Sequence, residues 1–331
     1  MKLPALLALT LTAALCGCFQ DLDKTSQKTE APLRLLTDDN PAWAYENLRL
    51  YPVVALAAWQ RDNESLKNFK TLSEAMAQQG FRVMERKQFG NSEEPWYNGL
   101  TVQNKTQDTV LLFAGEVVKG GNQDRVLAHH EVIMPRSVRN IEVFCVEAGR
   151  STYYNPKASS EEKALAAFNG YFGVASPNVR RALYGQQGQQ KVWDAVDKVT
   201  EANGASSETS AYTALDHEGE AKKRRDAYLE HLLRAWEGRN DVVGVVAVCG
   251  GRVLGVDIYG HSDLFARQFK HLLHGYIAEA ALAAHSGEPA KTEQVLAAYH
   301  QVVQLAHSPV SKNNFAGKFV YADRCVHLYQ K

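Results

Sequence analysis

Val242-Val243-Gly244-Val245-Val246-Ala247-Val248-Cys249-Gly250-Gly251-Arg252-Val253-Leu254-Gly255-Val256-Asp257-Ile258-Tyr259 is the stretch on which the fold turns. Two runs rich in β-branched residues flank a glycine pair. Two glycines permit the positive dihedrals that a tight primed turn needs, so Val242–Cys249 and Arg252–Tyr259 read as a β-hairpin. Gly250, Gly251 and Gly255 also lie in a glycine-rich spacing. They sit inside a hairpin and not between a strand and a helix, which excludes a dinucleotide-binding turn. The residues that follow, Ser262 to Ala284, carry Phe265, Phe269, Leu272, Leu273, Tyr276 and Ala280 on one stripe, the period of a long amphipathic helix. A further helix is expected over Glu293 to Leu305, and a closing strand over Phe319 to Leu328.

Before the hairpin, residues 151–240 read as mostly helical. Candidate helices run over Ser159–Phe168, Asn178–Tyr184, Gln190–Ala202 and Glu220–Trp236. Earlier still the chain is β-rich. Tyr51–Trp59 reads as a buried strand, Leu66–Gln79 as a helix closed by Gly80, and Phe81–Glu85 as a strand. Gly99–Asn104 and Thr109–Ala114 read as partners around Lys105-Thr106-Gln107, and Val138–Val146 as the strongest strand of the block. Strands and helices are segregated, so the fold class is α+β, a mixed β core with a helical insertion and a long C-terminal helix packed on the sheet.

The N-terminus is a targeting segment. Met1-Lys2 precedes an apolar run from Leu3 to Leu15, too short for the about 20 residues of a spanning helix. The run ends Leu15-Cys16-Gly17-Cys18, the pattern of a bacterial lipobox. Residues 1–17 are therefore expected to be a signal peptide. Cys18 is expected to be lipidated, residues 18–40 to be a tether, and residues 41–331 to be one α+β domain. Ordinary secretion of a free protein is the alternative, and the small-x-small cleavage pattern it needs is absent before Cys18. The partner so implied is the lipid membrane, reached through the acyl anchor from the outer side of the cell envelope. Residue 19 is Phe and not Asp, which favours the outer membrane where the host has one.

Lys and Arg together number 37, as do Asp and Glu, so no basic excess points to nucleic acid. Cys145, Cys249 and Cys325 remain after Cys16 and Cys18. They sit in apolar strand-like stretches and read as buried free thiols, one pair at most being able to bridge. His271 and His274 lie three apart on the long helix and His129-His130-Glu131 form a second group. Neither has the spacing and geometry of a metal site, and no metal or cofactor is expected. There is no phosphate-binding P-loop, no G-x-S-x-G elbow and no H-E-x-x-H motif.

The polar groups around the β block are the candidate site: Glu116, Gln123, Arg125, Glu147 and Arg150. They flank strand ends and glycine turns, where a rigid sheet fixes loop side chains. A guanidinium there holds an anion bidentately, and a carboxylate orients a hydroxyl or takes a proton. Three functions stay open: a binder of an anionic, sugar-like or nucleotide-like small molecule, a hydrolase using Glu116 or Glu147 as general acid/base, and an envelope scaffold in which the same groups only pair with one another.

Several stretches carry a family pattern: Leu112-Phe113-Ala114-Gly115-Glu116 through Gly120, Gln123 and Arg125, Cys145-Val146-Glu147-Ala148-Gly149-Arg150, Ser176-Pro177-Asn178-Val179-Arg180-Arg181-Ala182-Leu183, Lys191-Val192-Trp193-Asp194-Ala195-Val196, and Gly250 to Gly260. On these the chain resembles the ARG and Rhodanese-Phosphatase-superfamily-associated protein domain, from about residue 45 to 285. Ser151 stands where an aromatic often follows the arginine. The resemblance implies no established activity. The family's name records genomic company with ADP-ribosylglycohydrolases and phosphatase-like proteins, which implies ADP-ribose or nucleotide-related ligands by association.

Overall fold

The alternation of the Val242–Tyr259 hairpin builds two cores at once. Val245, Ala247, Cys249, Leu254 and Tyr259 face one side, and Val243, Val246, Val248, Val256 and Ile258 the other. Both faces of these strands are buried, which explains why nearly every position is apolar. A computed structural model describes residues 32–85, 98–150, 168–184, 188–283 and 290–331. The signal peptide, Cys18 and the start of the tether lie outside the described residues, as does the expected helix Ser159–Phe168 apart from Phe168.

The hairpin forms as expected, with partners from Gly244↔Ile258 to Cys249↔Arg252. It occupies the middle of an antiparallel sheet ordered Leu33–Leu35, Leu48–Ala55, Val242–Cys249, Arg252–Tyr259, Arg324–Gln330, Ala316–Tyr321. Leu33–Leu35 lies in the stretch expected to be tether. Leu33 and Leu35 bury against the second core, so this part of the chain pairs as an edge strand. A second sheet is ordered Phe168–Val174, Glu116–Gly120, Arg125–Leu127, Ser137–Cys145, Gly99–Asn104, Phe81–Glu85. A three-stranded one runs Glu131–Ile133, Val110–Leu112, Lys70–Thr71. Helix Ser262–Ala280 packs between the first sheet and strand Phe168–Val174, and helix Thr292–Val303 covers the first sheet's opposite face. The architecture is α+β.

Four local expectations fail for identifiable reasons. Leu66–Gln79 is not one helix. Thr71 caps with Glu74 in a reciprocal box, so the helix starts at Leu72 and ends at Met76, while Lys70–Thr71 pairs in parallel with Val110–Leu111. Gly99–Asn104 and Val110–Leu112 are strands but not partners. The Asn104 amide donates to the Asp108 and Met134 carbonyls, 2.8 and 3.0 Å away, and turns the chain into a different sheet. The closing segment is a hairpin, not one strand, because Ala322 and Asp323 adopt φ of 48° and 60°. Strand Leu48–Ala55 stops before Trp59, which is buried from the helix Ala57–Asp62.

Gly275 lets the long helix seat on the neighbouring strand. A β-carbon there would lie 2.6 Å from the Ala175 carbonyl oxygen and 2.7 Å from that of Val174. Helix propensity alone would make Gly275→Ala stabilising by about 1 kcal/mol. Backbone overlap reverses the sign, and we expect a loss of about 1–3 kcal/mol in chemical denaturation. An unchanged or raised midpoint would show that the helix and strand are not in this contact.

Candidate functional site

Four of the five expected site residues meet in one closed network. The Glu147 carboxylate accepts from Arg150 Nε and Nη2 at 2.8 and 2.6 Å, from the Asp124 N–H at 3.0 Å and from the Thr209 hydroxyl at 2.6 Å. Asp124 accepts from the Gly120 N–H at 2.9 Å, the Thr213 hydroxyl at 2.6 Å and Arg150 Nη2 at 3.2 Å. The Gln123 amide donates to the Glu147 carbonyl at 2.8 Å and accepts from Arg125, which also donates to the Cys145 sulfur. Burial pushes the Glu147 carboxyl up, but the bonds from Arg150, Thr209 and the Asp124 N–H outweigh it and hold the group below its ordinary range. All four carboxylate oxygens of Glu147 and Asp124 are occupied. The network clasps the turn after Gly120 to the end of strand Ser137–Cys145 and to the Thr209–Thr213 segment, which is what a closed turn needs.

Glu116 stands apart from this clasp. It is fully buried and accepts from the Phe113 N–H at 2.8 Å, the Tyr171 hydroxyl at 2.9 Å and the Gln268 amide at 3.3 Å. Burial raises its carboxyl to about 7 against those three bonds, which favour ionisation. The turn that precedes its strand, the neighbouring strand Phe168–Val174 and the long helix each supply one group, so Glu116 is a junction of three elements.

The strongest charge arrangement in the described residues was not among the expected site residues. Asp257 is buried on the helix-facing side of the central hairpin and receives a bidentate grip from Arg180: Nη1 at 2.9 and 3.0 Å and Nη2 at 3.1 Å. His327 Nε2 donates to Asp257 at 3.0 Å, and the Tyr276 hydroxyl donates to the same carboxylate. Burial opposes ionisation of Asp257, yet the Arg180 charge and the His327 bond hold its carboxyl well below the usual range. Burial, against the pull of Asp257, lowers His327, so it is neutral. Around this pair lie buried polar atoms without a hydrogen-bond partner among the described residues: Arg180 Nε, His327 Nδ1, His130 Nε2, the Tyr184 hydroxyl and Gln330 Oε1. The Tyr329 ring lies 4.7 Å from His130 and 5.2 Å from both His327 and Tyr184. A narrow cleft reaches Arg180, Tyr184 and Gln330 past Gly255 and Lys331, with about 10 Å³ of room, enough for one water-sized group. Beside it, and sharing Arg181, an open groove of about 220 Å³ is lined by Asn178, Arg181, Lys191, Asp194 and Lys198.

Two signals in the sequence pointed here. Asp257 is a lone charge inside the apolar run Val253–Tyr259, and Arg180 belongs to a helix whose Val179, Ala182 and Leu183 are buried. A buried charge implies a buried partner. The opposite charges lie 77 positions apart, and nothing local joins them.

The histidine pairs diverge. His129 is exposed and pairs with Glu142, while His130 is half-buried and accepts from the Ala114 N–H at 3.2 Å. Burial lowers His271 and His274 to about 4. Among the described residues no group of three His, Cys, Asp or Glu side chains could hold a metal ion. Cys145, Cys249 and Cys325 are free, the last half-buried.

Two outcomes follow. Asp257→Asn leaves Arg180 buried without its counter-charge and should cost about 3–5 kcal/mol, while the apolar pair Arg180→Met with Asp257→Leu should cost much less. Equal losses in urea titrations would mean that the ion pair is not the seat of the effect. Glu116 binds its proton more tightly folded than unfolded. Its contribution is complete below pH 4.5 and is lost as pH rises toward 7, by about 3 kcal/mol. His271 and His274 act oppositely, losing stability as pH falls from 6.5 toward 4. The difference between the native chain and Glu116→Gln isolates the first effect, and identical pH profiles for the two would contradict it.

No curated protein and no solved structure matches the chain. The family model of the ARG and Rhodanese-Phosphatase-superfamily-associated Protein domain matches residues 38–322, a span that holds Glu116, the Glu147 clasp, Arg180 and Asp257 and stops short of His327, and the chain belongs to this family.

Proposed function

We propose that the chain is a lipid-anchored domain of the bacterial cell envelope that binds a small, hydroxyl-bearing ligand over the Arg180–Asp257 pair. The anchor reading rests on the Leu15-Cys16-Gly17-Cys18 pattern. The binding reading rests on the unsatisfied buried atoms of Arg180, Tyr184 and Gln330, which line the cleft, and of His130 and His327, whose rings lie against Tyr329. Buried polar groups ordinarily find partners, and a cluster without them marks a place that water or a ligand fills. Arg180 and Asp257 cancel each other's charge and His327 is neutral, so the centre does not select for charge. It offers donors at Arg180 Nε and His130 Nε2, acceptors at His327 Nδ1 and Gln330 Oε1, and a tyrosine hydroxyl that does either. A sugar-like hydroxyl group, which donates and accepts, suits that set. Arg181, Lys191 and Lys198 in the adjoining groove suit a negative group on the same ligand, of the phosphate or carboxylate kind. Glu147 and Arg150 take a supporting role here, since their hydrogen-bonding capacity is spent within the clasp.

A hydrolase is the second reading, and one observation favours it. Glu116 has a carboxyl near 7, the range a general acid needs at neutral pH. Full burial of Glu116 counts against it.

A thermal-shift panel of neutral sugars, sugar phosphates and inorganic phosphate on the full chain in mild detergent tests both. Sugar phosphates should raise the midpoint. Tyr184→Phe should weaken every sugar-bearing ligand, and Arg181→Ala with Lys191→Ala should weaken only the phosphorylated ones, by about tenfold. No shift with any compound, or shifts that survive both sets of changes, would overturn the binding reading. Turnover of a binding compound that stops in Glu116→Gln would favour the hydrolase.

A further inference from the structure

We infer that the loop Ser308–Phe315 is a membrane-contact face that rests on an anionic lipid surface, an inference that rests on the lipid-anchor reading above. Val310 and Phe315 are 55% and 58% exposed, two of the few large apolar side chains that the described residues leave on the surface. Three lysines gather on this loop. Lys318 Nζ donates to the Ser308 carbonyl and Lys331 Nζ to that of Asn313, and Lys312 bridges by its backbone to Gly317. The Lys318 N–H bonds the Ser311 carbonyl and the Lys331 N–H that of Phe315, at 2.6 and 2.9 Å. The loop is thus braced by Lys318 and Lys331, both half-buried with their ammonium groups on its carbonyls, and it carries the exposed Lys312 between Val310 and Phe315 in the sequence. None of the three lysines forms an ion pair among the described residues, and from His307 to Lys331 four cations face one acid, Asp323. Lysines around exposed apolar residues match a bilayer surface, where the apolar pair enters the interface and the ammoniums meet anionic headgroups. A protein partner would not require so one-sided a charge.

The length of chain before the fold agrees. Helix Thr292–Val303, which leads into this loop, packs on the edge strand Leu33–Leu35 where the tether enters the fold. Twelve helical residues rise about 18 Å. The fourteen residue-to-residue steps from Cys18 to Pro32 reach up to about 45 Å when extended. A lipid on Cys18 and the loop can therefore meet one bilayer together.

The full chain is mixed with phosphatidylcholine vesicles with and without phosphatidylglycerol, and amide exchange is followed in the peptide spanning residues 308–316. Protection should appear on the anionic vesicles and fade with added salt. Lys312→Glu should lower it about fivefold, as expected for a charge at an anionic surface, and Val310→Ser with Phe315→Ser should abolish it. Acylation is read separately from the mass of the peptide that carries Cys18. An unmodified Cys18 ends the anchor reading, while the exchange of residues 308–316 still decides the face. Equal exchange with and without vesicles would overturn the inference, as would protection in their absence, which would assign the face to a second copy of the chain.

Discussion

The Arg180–Asp257 ion pair is the constraint on which the rest of the structure is arranged. It joins the helix Pro177–Tyr184 to the central hairpin across the layer that the long helix fills. Neither group tolerates that depth alone, since an isolated buried charge costs several kcal/mol. The surroundings are shaped to keep them together. Gly115, at φ 91°, lets its loop lie flat on the arginine stem, where a β-carbon would come within 2.8 Å of Cδ. Tyr276 and His327 complete the aspartate's hydrogen bonds from a helix and a strand. A mixed polar network in a core is costly unless nearly complete. Here Asp257 is complete, and three of the residues with open atoms, Arg180, Tyr184 and Gln330, line the cleft.

Two carboxylate systems in one fold show how neighbours decide what a glutamate does. Glu147 meets a guanidinium, one hydroxyl and a backbone N–H and is held ionised in a closed turn. Glu116 meets only neutral donors in a fully buried cage and is raised to about 7. The sequence presents both as acids beside glycine turns. What separates them lies in residues far along the chain: Thr209 for Glu147, Tyr171 and Gln268 for Glu116.

Local pattern carried the fold a long way and then stopped. The hairpin around Gly250-Gly251 and the helices Gln189–Ala202, Glu220–Arg234 and Ser262–Ala280 were legible because two glycines and a helical stripe act over a few residues. The pairing of Leu48–Ala55 with Val242–Cys249 was not, because about two hundred residues intervene and nothing local encodes which strands meet. Phe168–Val174 hid as a strand because its two glycines and two register shifts blur the two-residue period. The Glu147–Arg150 contact was readable as a pair three positions apart. The Arg180–Asp257 contact needed the folded layers, although a lone aspartate in an apolar strand was the one visible clue.

A neutral centre with open donors and acceptors makes a definite demand on two imidazoles. His327 donates through Nε2 to Asp257, so its Nδ1 must carry the lone pair. His130 accepts from the Ala114 N–H through Nδ1, so its proton must sit on Nε2. Nitrogen NMR of the histidine-labelled chain reads both directly. At neutral pH the two rings should be uncharged, each with its proton on Nε2, and they should remain so as the pH falls below the usual histidine range, in keeping with their lowered affinities for a second proton. An imidazolium at His327 at neutral pH, or a proton on its Nδ1, would contradict the account, since the centre would then be a cation suited to anions instead of a neutral seat for a hydroxyl.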